Sequence, residues 1–128
     1  MSAEGLTYDT GALLAAERHD RLVWALHRAA LARQLPPVVP AVVLAQGWRG
    51  GPHVDLSRFL KGCDIESLSE EQARQVGALA ARADHDDIVD VSVGEGAIRR
   101  HHAVVTSHPT PIRKVAAAAG VTIEIHAV

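Results

Sequence analysis

Carboxylates are the residues whose placement in this chain could do chemistry. Asp9 closes the short apolar segment 6–8 and is followed at once by Thr10, Gly11 and the helix-like run 12–16. Far downstream, Asp84, Asp86, Asp87 and Asp90 crowd the opening of another helix-like segment. In a parallel α/β sheet, groups at the carboxyl ends of different strands converge on one crevice, where such folds bind ligands. Two carboxylates delivered there would hold a hard divalent cation, and a cation attracts phosphate. Phosphodiester chemistry is therefore the first reaction class to consider.

The elements that must position these groups alternate between strand and helix. Residues 6–9 read as a buried strand. Asp20 can cap a helix running to about Arg33, because Leu22, Leu26, Ala29 and Ala30 recur at helical spacing. Pro36 and Pro37 break it, 38–39 reads as a short strand, and Pro40 suits the first turn of a helix ending near Gly50 and Gly51. A short amphipathic piece follows at 56–60, and Ile65 and Leu68 flank a strand or edge segment. Ser69 with Gln72 forms a capping box before Ala73, Val76 and Ala80. Asp87 begins the next helix, and 103–106 reads as a strand. Thr110 and Pro111 start a helix that Gly120 ends, and the alternation over 121–125 predicts a final strand. Strands separated by helices imply right-handed crossovers and a mostly parallel sheet flanked by α-helices, an α/β domain.

Composition narrows the partners. The 128 residues suit a single domain over 1–128 with a real core. A net charge of −2 excludes a strongly basic nucleic-acid coat, although not a local basic patch. Aromatic residues are only 3%, so stacking of bases on aromatic platforms is not how the chain would hold RNA. The lone cysteine, Cys63, excludes an internal disulfide and a multi-cysteine zinc site. The opening MSAEGLTYDT has neither a basic nor an apolar leader region, and no run is long enough to span a membrane. A soluble cytoplasmic protein is the expectation.

The segments LTYDTGALLA, VVPAVVLAQGWRGG, DDIVDVSVGEGA and AVVTSHPTPIRKVA, in that order, resemble the motif regions of PIN-domain proteins, and among them the VapC-type toxins of bacterial toxin–antitoxin pairs. The likeness covers nearly the whole chain, and the order and spacing of the segments is more specific than any one of them. It implies a three-layer fold, with a central parallel sheet between helices. It also implies acidic residues around Mg²⁺ or Mn²⁺ that cleave RNA, a cognate antitoxin that holds the nuclease inactive, and a homodimer.

Carried over residue by residue, the resemblance gives Asp9 as the first family acid and Asp90 as the third. Asp87 lies one helical turn before Asp90 and shares its face. The bland alternative for each is helix capping, since acidic side chains suit helix amino termini. Capping alone wants one carboxylate, and four in seven positions repel one another unless a cation offsets them. Asp84 and Asp86 read as solvated. Two positions depart from the family pattern. Gln46 stands where Glu is usual; it carries no charge, but its carbonyl can ligate a cation or hold a water. His108, in Thr106-Ser107-His108-Pro109, stands where Asp commonly follows Thr-Ser. Imidazole suits Mn²⁺ better than Mg²⁺, or could donate a proton to the leaving group. Arg49 could contact phosphate or be a plain surface residue. Thr10, Thr106 and Ser107 could orient water or phosphate oxygens. His101 and His102, beside Arg99 and Arg100, look like a solvated helix end.

The implied mechanism is metal-assisted hydrolysis, with Asp9 and Asp90, joined by Asp87, holding one or two ions. Two other readings stand beside it. A degenerate PIN domain would bind RNA or protein without cutting, which Gln46 and His108 favour. A receiver-type signalling domain shares the sheet and an acidic crevice, but wants an acidic pair after the first strand, where only Asp9 stands, and a later strand-end Asp where Pro40 follows.

Overall fold

The computed structural model describes residues 3–128, so the first two residues of the expected domain lie outside it. Along the chain run β1 (Gly5–Tyr8), α1 (Thr10–Glu17), α2 (Arg21–Ala32), β2 (Val38–Pro40), α3 (Ala41–Gly47) and α4 (Val54–Leu60). They are followed by β3 (Asp64–Glu66), α5 (Glu70–Ala83), α6 (Ile88–Arg100), β4 (His102–Thr106), α7 (Pro109–Ala118) and β5 (Ile125–Ala127). The strands form one sheet in the order β3-β2-β1-β4-β5, with every pairing parallel. All carboxyl ends therefore share one edge. The order reverses at β1: the chain leaves it for β2 on one side and returns to β4 on the other. That is the switch point at which open α/β sheets bind ligands.

Both faces of the sheet are covered. Val104 and Val105 are adjacent, so they point to opposite faces, and both are fully buried. Neighbours in β1 show what lies on each side. Tyr8 stacks on Phe59 of α4 with ring centroids 4.9 Å apart and shares a 2.9 Å hydrogen bond with His27 of α2. Thr7, turned the other way, accepts from Arg100 of α6 at 3.1 Å. Layers of helix, sheet and helix follow, the three-layer α/β architecture that the sequence pattern and the resemblance predict.

Most of the predicted helix starts hold. Asp9, Asp20, Ser69 and Asp87 are N-caps whose side chains accept backbone amides, and Ser69 with Gln72 makes both bonds of the capping box. Two boundaries are corrected. Pro40 closes β2 and caps α3, which ends at Gly47 instead of near Gly50 and Gly51. The intervening loop is pinned separately: the Arg49 amide donates to His53 Nε2 at 3.1 Å, and His53 Nδ1 lies 2.6 Å from Glu17. The final strand is Ile125–Ala127, so most of 121–125 lies outside it. The Val121 amide still caps α7 through the Ala116 carbonyl, and pairing opens only when the Val104 amide reaches the Glu124 carbonyl.

Candidate active site

Asp9 is the centre of the carboxyl edge. It follows β1 directly, donates its amide to the Val105 carbonyl of β4 at 3.2 Å, and so sits between the two strands of the switch point. One carboxylate oxygen accepts the Ala12 amide at 2.9 Å, which starts α1 and fixes the side chain. Capping and a functional role are thus compatible: the bond engages one oxygen of Asp9 and leaves further lone pairs. The residue is 8% exposed. Burial pushes its carboxyl above the ordinary range; the Thr106 hydroxyl and Ala12 amide pull it back, the Asp90 carboxylate pushes it up, and His108 lowers it.

The structure therefore brings Asp9, Asp90, Thr106 and His108 together. Thr106 ends β4, and its hydroxyl also accepts the His108 amide at 2.9 Å, shaping the turn that carries Ser107 and His108. Gly11 is dictated by that turn: a Cβ there would collide with Ser107 Oγ. Thr10 donates to the Gln46 carbonyl oxygen across the mouth of the site, joining α1 to α3. Gln46 and His108 are exposed, as rim residues would be.

The other predicted residues make the following contacts. Asp87 caps α6, its Oδ1 accepting the Val89 amide at 2.9 Å and the Asp90 amide at 3.2 Å, which leaves its other oxygen outside these bonds. Asp84 and Asp86 are exposed, as expected. The Arg49 guanidinium bonds back to its neighbour's carbonyl at Trp48. His102 departs from the expected solvated helix end: it belongs to β4, where its ring bonds Thr7 Oγ1 at 3.1 Å, while His101 caps α6 in a left-handed conformation. Both lie at the opposite edge of the sheet. One site residue escaped the sequence reading. His85 Nε2 lies 3.0 Å from Asp90 Oδ2; a histidine inside the acidic run 84–90 was the available signal.

Among the described residues, no group of three or more His, Cys, Asp or Glu side chains is arranged to hold a metal ion. The donor chemistry of the two carboxylates nevertheless suits a hard cation. Mg²⁺ is usually held through one or two carboxylates with water and substrate phosphate completing its shell, and a cation would offset the repulsion between Asp9 and Asp90.

An open α/β sheet with an acidic pair at its switch point belongs to the class of carboxyl-edge binding folds. Solved structures share this fold over 94% of the chain. VapBC2 from Rickettsia felis, determined bound to a DNA fragment from their promoter, is similar at TM-score 0.73, with 16% identity and 98% of that chain covered. PAE2754 from Pyrobaculum aerophilum is similar at TM-score 0.63, with 13% identity and 82% of that chain covered. The sequence matches no family model and no curated protein.

Proposed function

We propose that the chain is a divalent-metal-dependent endoribonuclease of the VapC-type PIN family, acting as the toxin of a toxin–antitoxin pair. One observation carries this reading: a nearly buried carboxylate, Asp9, stands at the switch point with its carboxyl pushed up by burial and by a second carboxylate, Asp90, which outweigh the Thr106 hydroxyl, the Ala12 amide and His108. Carboxylates perturbed by burial and by a like charge cluster at functional sites. The fold shared with VapBC2 supports the family.

In this reading Asp9 and Asp90 hold Mg²⁺ or Mn²⁺. When bound, the ion supplies positive charge for the scissile phosphate and lowers the pKa of an attacking water. The chain's own residues do the positioning. The Ala12 amide and Thr106 hydroxyl keep Asp9 in one orientation. Gln46, its carbonyl taken by Thr10, turns its amide N–H groups to an RNA phosphate at the rim. The His108 imidazole beside Asp9 is placed either to ligate the ion or to give a proton to the leaving oxygen. Asp87 contributes by fixing the backbone of Asp90. Ser107 and Arg49 line the approach of RNA in a supporting role.

The partner follows from the same surface. An antitoxin arginine could take the place of the cation and pair with Asp9 or Asp90 in bidentate fashion. Beside Gln46, an open apolar groove of about 410 Å³, lined by Ala41, Leu44, Ala45, Trp48 and Leu60, suits the rest of such a segment. A homodimer completes the proposal. No helix among the described residues is long and apolar enough to cross a membrane.

The alternative, a degenerate domain that binds RNA or protein without cutting, draws on Gln46, on His108 and on the absence of a three-donor cluster among the described residues. RNA cleavage by the purified chain in Mg²⁺ and in Mn²⁺ separates the two. RNA binding without cleavage in either ion supports the degenerate domain. Co-expression with the product of an adjacent upstream reading frame, followed by size-exclusion chromatography, tests the partner; a persistent free monomer counts against it.

A further inference from the structure

Asp90 has a neighbour that lies just outside the motif segment 86–97. His85 Nε2 lies 3.0 Å from Asp90 Oδ2, and the two side chains are only 18% and 27% exposed. The turn between α5 and α6 fixes the backbone that carries this imidazole. Asp84 reverses the chain at a φ of 50°, the His85 amide donates to the Ala80 carbonyl at 3.1 Å, and Lys114 Nζ of α7 donates to the Asp84 carbonyl at 2.9 Å. Two residues on, Asp87 takes the Asp90 amide. One turn thus fixes both the backbone of Asp90 and the group that meets its carboxylate.

We infer that His85 is a positioning residue: its Nε2–H donates to Asp90 Oδ2 and holds that carboxylate so that the other oxygen is free to share a cation with Asp9. The inference rests on the metal reading above. The Asp90 carboxylate repels Asp9, and without this bond it would be free to rotate away. Hydrogen-bonded ligands keep their orientation, and losing such an outer partner costs about 10- to 100-fold in metal affinity. With Gln46 and His108 in place of two acids, fewer charges hold the ion, so the aim of each remaining carboxylate matters more.

The test is Mn²⁺ uptake by the full chain, followed by loss of the free-ion EPR signal, alongside RNA cleavage kinetics. Wild type, His85→Ala and His85→Gln are compared, since a glutamine amide can place a donor close to the position of Nε2. His85→Ala is expected to weaken Mn²⁺ binding about tenfold with the KM for RNA unchanged, and His85→Gln to restore most of the loss. Long-range ¹H–¹⁵N spectra of the metal-free wild type should show the proton on Nε2, a readout that needs no variant to fold. A proton on Nδ1, or wild-type uptake left unchanged in His85→Ala, would overturn the positioning role alone. Wild type that takes up no Mn²⁺ would overturn the metal reading and this inference with it.

Discussion

Asp9 and Glu66 stand at the carboxyl ends of two strands of the same sheet and have opposite electrostatics. Glu66, closing β3, accepts from Arg99 at 2.7 Å and from Arg100 at 2.6 Å. Burial works to raise its pKa, but the hydrogen bonds and charges of the two arginines outweigh it and hold the carboxyl below the usual range. Asp9, after β1, is raised by burial, and Asp90 pushes the same way. A compensated carboxylate ties α6 to the sheet. A carboxylate whose hydrogen bonds do not outweigh its burial costs stability at neutral pH, and it is at Asp9 that the proposed cation would offset the cost.

The comparison breaks most visibly at Asp9 and Asp90. Asp9→Asn keeps a good N-cap, because asparagine caps about as well as aspartate, yet removes the ligand charge. Cleavage should fall about a hundredfold or more for Asp9→Asn and for Asp90→Asn. Stability should move the other way for Asp9→Asn. A carboxyl whose folded pKa lies above its unfolded value of 3.8 favours folding below that value and loses the contribution as pH rises through the folded pKa. At neutral pH the variant should therefore melt above wild type; a lower midpoint with intact cleavage would break the account.

Acid titration sharpens the contrast once His27 is separated out. Burial beside Tyr8 and Phe59 lowers its pKa from 6.5 to about 4. The neutral ring contributes stability above 6.5, and as pH falls through this window on the order of 3 kcal/mol is lost. Glu66 has the same sign: its contribution is full above 4.5 and is lost as pH falls through its lowered pKa. Glu66→Gln should cost about 2 kcal/mol at neutral pH, flatten the acid limb of urea-derived stability curves and leave cleavage unchanged. A matching loss of cleavage would erase the distinction between the two carboxylates.

The smallest effect concerns the rim. With an imidazole beside Asp9, cleavage should be stronger in Mn²⁺ than in Mg²⁺, because Mg²⁺ prefers oxygen ligands. His108→Asp adds an oxygen donor and should move the ratio of rates several-fold toward Mg²⁺. An unchanged ratio makes His108 a bystander.

What was legible in the sequence follows from range. Asp9, Asp20, Ser69 and Asp87 act on amides two or three residues away, so their capping work could be read directly. The order of alternating elements was enough for a parallel sheet, and the motif order carried Asp9, Asp90, Gln46 and His108 to one edge. Contacts across the fold were not legible. Arg99 and Arg100, beside the His101 and His102 that read as a solvated helix end, meet Glu66 across 33 and 34 positions and tie α6 to β3. His85 reaches Asp90 only because Asp84 adopts a left-handed turn that nothing local demands. Alternation over 121–125 mimicked a strand because Ile123 and Ile125 both pack against the core, while pairing waits until the chain reaches β4.

Thermal melting in the presence of Mn²⁺ tests the central claim most directly, because it reads the carboxylate pair without requiring a substrate. At a hundred times its Kd, an ion bound only by the folded chain adds about 2.7 kcal/mol, which is a rise of several degrees. The account predicts that rise for wild type and its loss in Asp9→Asn, whose own midpoint already lies higher. Equal rises in the two proteins would contradict a cation at Asp9.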